Sequence, residues 1–257
     1  MLLAIDIGNT DTVVGVFRDK ELAAHFRIGS NHALTADEAG LAVTSLLRHH
    51  IPDPAAEVSR VAVCSVVPCL TGIYERMTRA YFKIEPLIIS ARIKLPFKID
   101  YTDPSEVGSD RLANAAAGYA RYKSALVVVD IGTATTFDVV AESGNYLGGI
   151  IAPGPQTAGA NLAQKAARLF EVRIEKPGRV IGKTTAEAIK SGLYYGTIAL
   201  IDNVLERIFE EFGHRVPVIV TGGEAEIYAP DCKYVTAVVQ TLTLEGIKLI
   251  ADYNSLP

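Results

Sequence analysis

Cysteine is scarce in this chain: Cys64, Cys69 and Cys232 are the only three. An odd, scattered set excludes a disulfide-stapled secreted fold and points to a reducing compartment. Cys64 and Cys69 are too far apart for a Cys-x-x-Cys pair. No histidine lies near them in the chain, so no metal-ligand spacing is formed. Long apolar runs are missing too, and none approaches the roughly 18 residues of a membrane span. Charge of one sign is never concentrated: no block of five like charges occurs, and the net charge is −4. That balance gives no electrostatic footing for nucleic acid or an anionic membrane. The first residues enter an apolar run without a basic segment or a cleavage site, so a signal peptide is not expected and the expected location is cytoplasmic.

What is present is one stretch stated twice. Residues 2–10 read Leu-Leu-Ala-Ile-Asp-Ile-Gly-Asn-Thr, and residues 126–135 read Leu-Val-Val-Val-Asp-Ile-Gly-Thr-Ala-Thr. Each is an apolar run ending in Asp-Ile-Gly and a cluster of hydroxyl or amide side chains. Each is followed by a second β-rich run, 12–17 and 135–140. The pattern predicts a buried strand, a tight glycine turn and a returning strand. An Asp at the strand end beside backbone N–H groups and hydroxyls is a place to hold a phosphate chain and its metal ion. Neither turn carries a lysine, so neither is a P-loop. Two copies in 257 residues predict a duplicated domain with a cleft between the halves.

In chain order, 22–28 completes a three-strand meander. Thr35-Ala-Asp-Glu38 forms a capping box for a helix that Pro52 and Pro54 end. His49 and His50 close that helix as solvated residues suited to its C-terminal dipole. A strand over 60–66, a helix from Pro68 to about Phe82 and a strand over 86–89 follow. The order βββαβαβ fits a mixed sheet with helices packed on it. A polar segment, 99–111, then carries four carboxylates and leads into a helix with Leu112, Ala115, Ala116 and Tyr119 on one face. Ser109 is the expected N-cap, which puts Asp110 in the first turn, where the helix dipole favours an ionised carboxylate. Such a group can accept a proton from a substrate hydroxyl. Arg111 has the planar fork to clamp a carboxylate. The alternative reading is a helix start with a favourable acid and a surface arginine.

The meander repeats over 125–130, 135–140 and 145–151, with Asp138 on the returning strand. A turn-rich segment, 148–155, precedes a helix of small residues, and 167–182 is a basic loop expected to act as a lid or an interface. Thr184 starts a long helix ending at Gly213, with Gly192 and Gly196 marking close packing. A strand over 216–220 leads to Gly222-Gly223, where backbone can lie against a flat nucleoside. A last helix, from about Thr243 to Asn254, is expected to close the second half.

Together these pieces resemble the acetate and sugar kinase, Hsp70 and actin superfamily, and most closely the type III pantothenate kinases. The motifs that carry the resemblance are Asp6-Ile-Gly-Asn-Thr10, Val107-Gly-Ser-Asp-Arg111 and Asp130-Ile-Gly-Thr-Ala-Thr135. Leu147-Gly-Gly-Ile-Ile-Ala-Pro-Gly154, Thr184-Thr185 with Ser191-Gly192, and Val220-Thr-Gly-Gly223 complete the ordered set. The resemblance implies two tandem ribonuclease H-like α/β domains (duplicated βββαβα), 1–114 and 115–257, with an inter-domain cleft. It implies transfer of the ATP γ-phosphoryl group to the 4′-hydroxyl of pantothenate, the first step toward coenzyme A, by a homodimer that engages neither nucleic acid nor membrane. By the same resemblance Asp6, Ile7, Gly8, Asn9, Thr10, Asp11, Thr12 and Val13 line the ATP phosphates, with Mg²⁺ near Asp6, and Thr133 contacts ATP. Asp110 is the general base; Tyr101, Gly108, Ser109, Asp110, Arg111 and Thr185 line the pantothenate site. Asp130 binds an activating K⁺ or NH₄⁺. Asp11, Lys183 and Glu224 depart from the family pattern. A catalytically silent relative acting as a transcriptional accessory protein is the competing expectation; intact Asp6, Asp110, Arg111 and Asp130 count against it. A sugar or acyl kinase on the same fold is disfavoured by the chain's small size.

Overall fold

The computed structural model describes residues 1–166 and 168–255. Ala167, the first residue of the expected basic loop, lies outside the described residues. The chain divides into two compact units: Met1–Ala117 together with the segment from Thr241 onward, and Gly118–Gln240.

The first unit opens with the meander β1 (Leu2–Ile7), β2 (Asp11–Arg18) and β3 (Glu21–Gly29). Helix α1 (Ala36–Leu47) starts at the expected capping box: the Thr35 hydroxyl accepts from the Glu38 N–H, and the Glu38 carboxylate accepts from the Thr35 N–H. A short turn of helix, α2 (Pro54–Glu57), precedes β4 (Arg60–Ser65). Helix α3 (Pro68–Met77) runs into a wider turn over Thr78–Phe82, and β5 (Leu87–Ile88) is the last strand. The sheet order is β3-β2-β1-β4-β5, with β1 antiparallel to β2 and parallel to β4. One face buries Ile5, Ile7, Val14 and Val63 against Val43, Leu47, Leu70 and Tyr74 of α1 and α3. The other face, with Leu2, Ala4, Ala62 and Cys64, packs on Ala113 and Ala116 and on Leu244, Ile247 and Ile250.

Helix α4 (Ser109–Tyr122) carries the chain into the second unit. There β6 (Leu126–Ile131), β7 (Ala134–Val140) and β8 (Tyr146–Pro153) repeat the meander. Helices α5 (Pro155–Lys165) and α6 (Thr185–Phe212) follow, then β9 (Val218–Thr221), α7 (Ala225–Tyr228) and β10 (Ala237–Val238). The order β10-β9-β6-β7-β8 reproduces the first sheet strand for strand. Helix α6 ends as expected at Gly213, in the left-handed conformation at φ 74°. The two sheets and their shared connectivity bear out the duplicated α/β reading.

One expectation is corrected. The last helix, α8 (Leu242–Asn254), belongs to the first unit, not the second. Its apolar stripe of Leu244, Ile247 and Ile250 needs a sheet face, and the small side chains of β1 and β4 leave room on the first sheet. Gly246 lets it lie against the backbone of Ala113, where a Cβ would overlap the carbonyl. Arg60 secures the end of α8 through Asp252 and Ser255, each at 2.9 Å. The two-residue strand β10 was not foreseen; it is too short to carry an alternating pattern.

Candidate active site

The first turn is held from below by Ser30. Its hydroxyl donates to the Gly8 carbonyl at 2.7 Å, and its N–H donates to the Thr10 carbonyl at 2.8 Å. Gly8 N–H closes the turn on Asp11 O at 3.0 Å. Asn9 and Thr10 are therefore presented to solvent. Ile7 and Thr12 lie beneath the turn: Ile7 is core, and the buried Thr12 hydroxyl meets Ser30 Oγ at 3.0 Å. Their buried side chains support the turn from the core side. Val13 is half-buried against the α8 side of the sheet. Asp11, the acidic departure, is engaged by Arg27 of β3 at 2.9 Å, which offsets its charge.

Asp6 ends β1 on the face covered by α4 and α8, opposite Cys64 in the parallel register with β4. The start of α4 lies on this same face. Its Ser109 is buried and is the first helical residue, not the expected N-cap. The hydroxyl reaches instead to β4: it donates to Ser65 O at 3.0 Å and accepts from Ser65 N–H at 2.9 Å and from the Cys64 thiol at 3.2 Å. Asp110 is next in the chain, its Oδ1 accepting the Arg111 N–H at 2.8 Å. A side chain at Gly108 would meet that oxygen at 2.5 Å, so glycine there leaves the carboxylate its space. Burial raises the Asp110 carboxyl above the usual aspartate range, and the Arg111 N–H and guanidinium pull against that rise. Arg111 itself is buried. Tyr101 is exposed on the loop before α4. Burial pushes the Cys64 thiol far up, and the charges of Asp6 and Asp110 push it the same way.

In the second unit Asp130 ends β6, opposite Thr221 of β9. Gly222 comes next at φ 95°, and a Cβ there would come within 2.4 Å of Asp130 Oδ1 and 2.5 Å of Ile131 O. Gly222 thus packs against the Asp130 carboxylate and the Ile131 backbone more closely than any side chain would allow. Thr133 is exposed at the tip of the second turn. Its carbonyl accepts from Gly154 N–H at 3.1 Å and Thr157 Oγ1 at 2.6 Å, which braces the turn on the start of α5. The Glu224 N–H bonds Ile131 O at 3.1 Å, and burial raises the Glu224 carboxyl while a bond from Gln156 opposes it. Thr185 is exposed on the first turn of α6, whose cap is Thr184.

Sequence reasoning missed Ser30, Ser65 and Cys64. Their roles come from strand register and from contacts across long stretches of chain, which leave no local pattern. It also found no histidine near Cys69, whereas the fold brings His32 Nδ1 within 3.6 Å of that thiol. Among the described residues no group of three or more His, Cys, Asp or Glu could cage a metal. No helix among them is long and apolar enough to cross a membrane.

Duplicated five-stranded mixed sheets with shared strand order define a protein of the actin-like α/β fold. The solved structures agree on the fold. A dehydratase activator from Clostridium difficile with bound ADPNP superposes with TM-score 0.56 at 14% identity, over 98% of this chain and 93% of that one. A ROK hexokinase from Thermus thermophilus gives 0.52 at 12%, over 97% of both. A Campylobacter jejuni protein assigned to the Baf family of transcriptional activators gives 0.60 at 20%, over 99% of this chain and all of that one. At these identities the likeness is one of fold.

Sequence comparison narrows the class. The family model described as type III pantothenate kinase matches residues 2–207. The type III pantothenate kinase of Anaeromyxobacter sp. is 44% identical over 254 residues, which is 99% of this chain and all of the relative. That of Myxococcus xanthus is 42% identical, covering 99% of each. The chain belongs to the type III pantothenate kinase family: it is an ATP-dependent pantothenate kinase of coenzyme A biosynthesis.

Proposed function

We propose that the chain transfers the γ-phosphoryl group of ATP to the 4′-hydroxyl of pantothenate with Asp110 as the general base. The observation that carries this is the Asp110 carboxylate, set by the first turn of α4 and kept clear by Gly108. It takes the hydroxyl proton as the oxygen attacks the γ-phosphorus, and the bond to the bridging oxygen of ADP breaks. Tyr101, Gly108, Arg111 and Thr185 serve the pantothenate; the buried Arg111 offers a planar fork to its carboxylate. The turn from Asp6 to Val13 and Thr133 serve the ATP phosphates. Phosphoryl transfer asks the protein for alignment and charge neutralisation more than for covalent chemistry.

Mg²⁺ fits this site as an ion carried mainly by phosphate oxygens and water, for which one carboxylate, Asp6, is enough. It supplies charge neutralisation on the triphosphate. The Asp130 carboxylate, near the end of β6, is the group to which this reading gives a monovalent cation, K⁺ or NH₄⁺. There it offsets phosphate charge that no lysine of either turn meets. The working form is a cytoplasmic homodimer. Leu147 and Ile151 stand exposed on β8, the open edge of the second sheet, which supports a self-association face. A solution mass near one chain at micromolar concentration would count against it.

Phosphorus NMR of the product, made from ATP and pantothenate, tests the acceptor. A new phosphomonoester on the 4′-oxygen is expected; ADP formation without it refutes the reading.

A further inference from the structure

Ser109 lies between Gly108 and Asp110, in the run that resemblance gives to the substrate. Its surroundings give it different work. A hydroxyl has one proton to donate and two lone pairs to accept with. The proton goes to Ser65 O at 3.0 Å, and one lone pair takes the Ser65 N–H at 2.9 Å. The other faces the Cys64 thiol at 3.2 Å. Nothing is left over for a ligand, and the side chain is only 6% exposed.

The three partners share an origin. Cys64 and Ser65 are the last two residues of β4, and β4 lies parallel to β1 with Cys64 opposite Asp6 and Ser65 opposite Ile7. The Ser109 hydroxyl thus fastens the first residue of α4 to the strand beside the one that carries Asp6. Asp110 is the next residue of α4. The Cys64 thiol, fully buried, is acted on by the charges of both Asp6 and Asp110. The thiol donates to the Ser109 hydroxyl at 3.2 Å.

We propose that Ser109 is a positioning residue: through the Ser65 peptide and the Cys64 thiol it fixes the start of α4 on β4, and so holds Asp110 at its distance from Asp6. The proposal rests on the reading of Asp110 as the base. Positioning of this kind acts on kcat, because a base displaced by about 1 Å loses on the order of a hundredfold in rate while the substrate is still bound.

The test is steady-state kinetics of Ser109→Ala beside Asp110→Asn and the unaltered enzyme, with a thermal melt of each. The expected result for Ser109→Ala is a kcat lower by about tenfold to a hundredfold, with KM for pantothenate held. A risen KM with kcat retained would make Ser109 a substrate contact and overturn the proposal. A lowered melt with unaltered kcat and KM would make the clamp merely structural and overturn it equally. If Ser109→Ala does not fold, Cys64→Ala and Cys64→Ser take its place. Alanine removes one arm of the clamp and should lower kcat, whereas serine keeps a donor there and should restore it; equal kcat in both would overturn the proposal. Asp110→Asn separates the two ideas. Full turnover in that variant defeats the base itself, whereas an inactive Asp110→Asn beside a normal Ser109→Ala defeats only the positioning.

Discussion

The two sheets share strand order and register, yet their matching strand ends are built for opposite purposes. In the first, Asp6 faces Cys64, and a helix start is fastened over the pair by a serine hydroxyl. In the second, Asp130 faces Thr221, and the chain turns away through Gly222 at φ 95°, packed closely against the Asp130 carboxylate. One half brings a second carboxylate in; the other brings a glycine backbone. The proposed roles follow that difference, proton transfer at Asp110 in one copy and charge compensation at Asp130 in the other, and the two copies differ in the segment that leaves the end of a single parallel strand.

The largest effect that would break this division is at Asp110. Asp110→Asn should lower kcat by roughly a hundredfold to ten-thousandfold, the usual share of a general base, and leave ATP binding intact. ADP release and a nucleotide titration read the two separately.

The same substitution has a second consequence. The folded-state pKa of Asp110 is raised by burial, so its ionised form is unfavourable in the folded protein. The carboxyl adds most to stability below its unfolded-state pKa, and that contribution fades as pH rises through the folded-state value. The amide of the Asp110→Asn variant carries no such charge, so the variant should melt higher than the unaltered protein at neutral pH. The gain should vanish in acid. Melts at a series of pH values check it, and kcat/KM of the unaltered enzyme should fall with acid at a pH above the usual aspartate range.

At the second sheet, Gly222→Ala should abolish any K⁺ dependence. Its Cβ would collide with the Asp130 carboxylate and displace it, and the left-handed backbone alone costs about 1–2 kcal/mol for an L-residue. Activity in K⁺ and in Na⁺, with a melt, separates cation loss from unfolding. The smallest effect is at α8: Arg60→Ala removes its bonds to Asp252 and Ser255, a half-exposed set worth about 0.2–1 kcal/mol. Denaturant titration should find that loss without a change in kcat.

Much of this was legible in the chain itself. The duplicated Asp-Ile-Gly turns, the meanders, the capping box at Thr35 and the glycine end of α6 all rest on local patterns, and local physics forms them. Three features were not legible. The placement of α8 depends on which sheet has small side chains on its outer face, a property of Ala4, Ala62 and Cys64 taken together. The role of Ser109 depends on Ser65, joined to it only by the fold. The pairing of Asp11 depends on Arg27, placed by the register of β2 and β3. In each case the deciding partner comes from a different element.

The most direct test of the divided site is ADP release from ATP and Mg²⁺ with pantothenate, in K⁺ and then in Na⁺ as the sole monovalent cation, for the unaltered enzyme and for Asp130→Ala. A divided site predicts pantothenate-dependent turnover that requires K⁺ and loses that requirement with Asp130. Equal turnover in both salts, or K⁺ activation that survives Asp130→Ala, would contradict it.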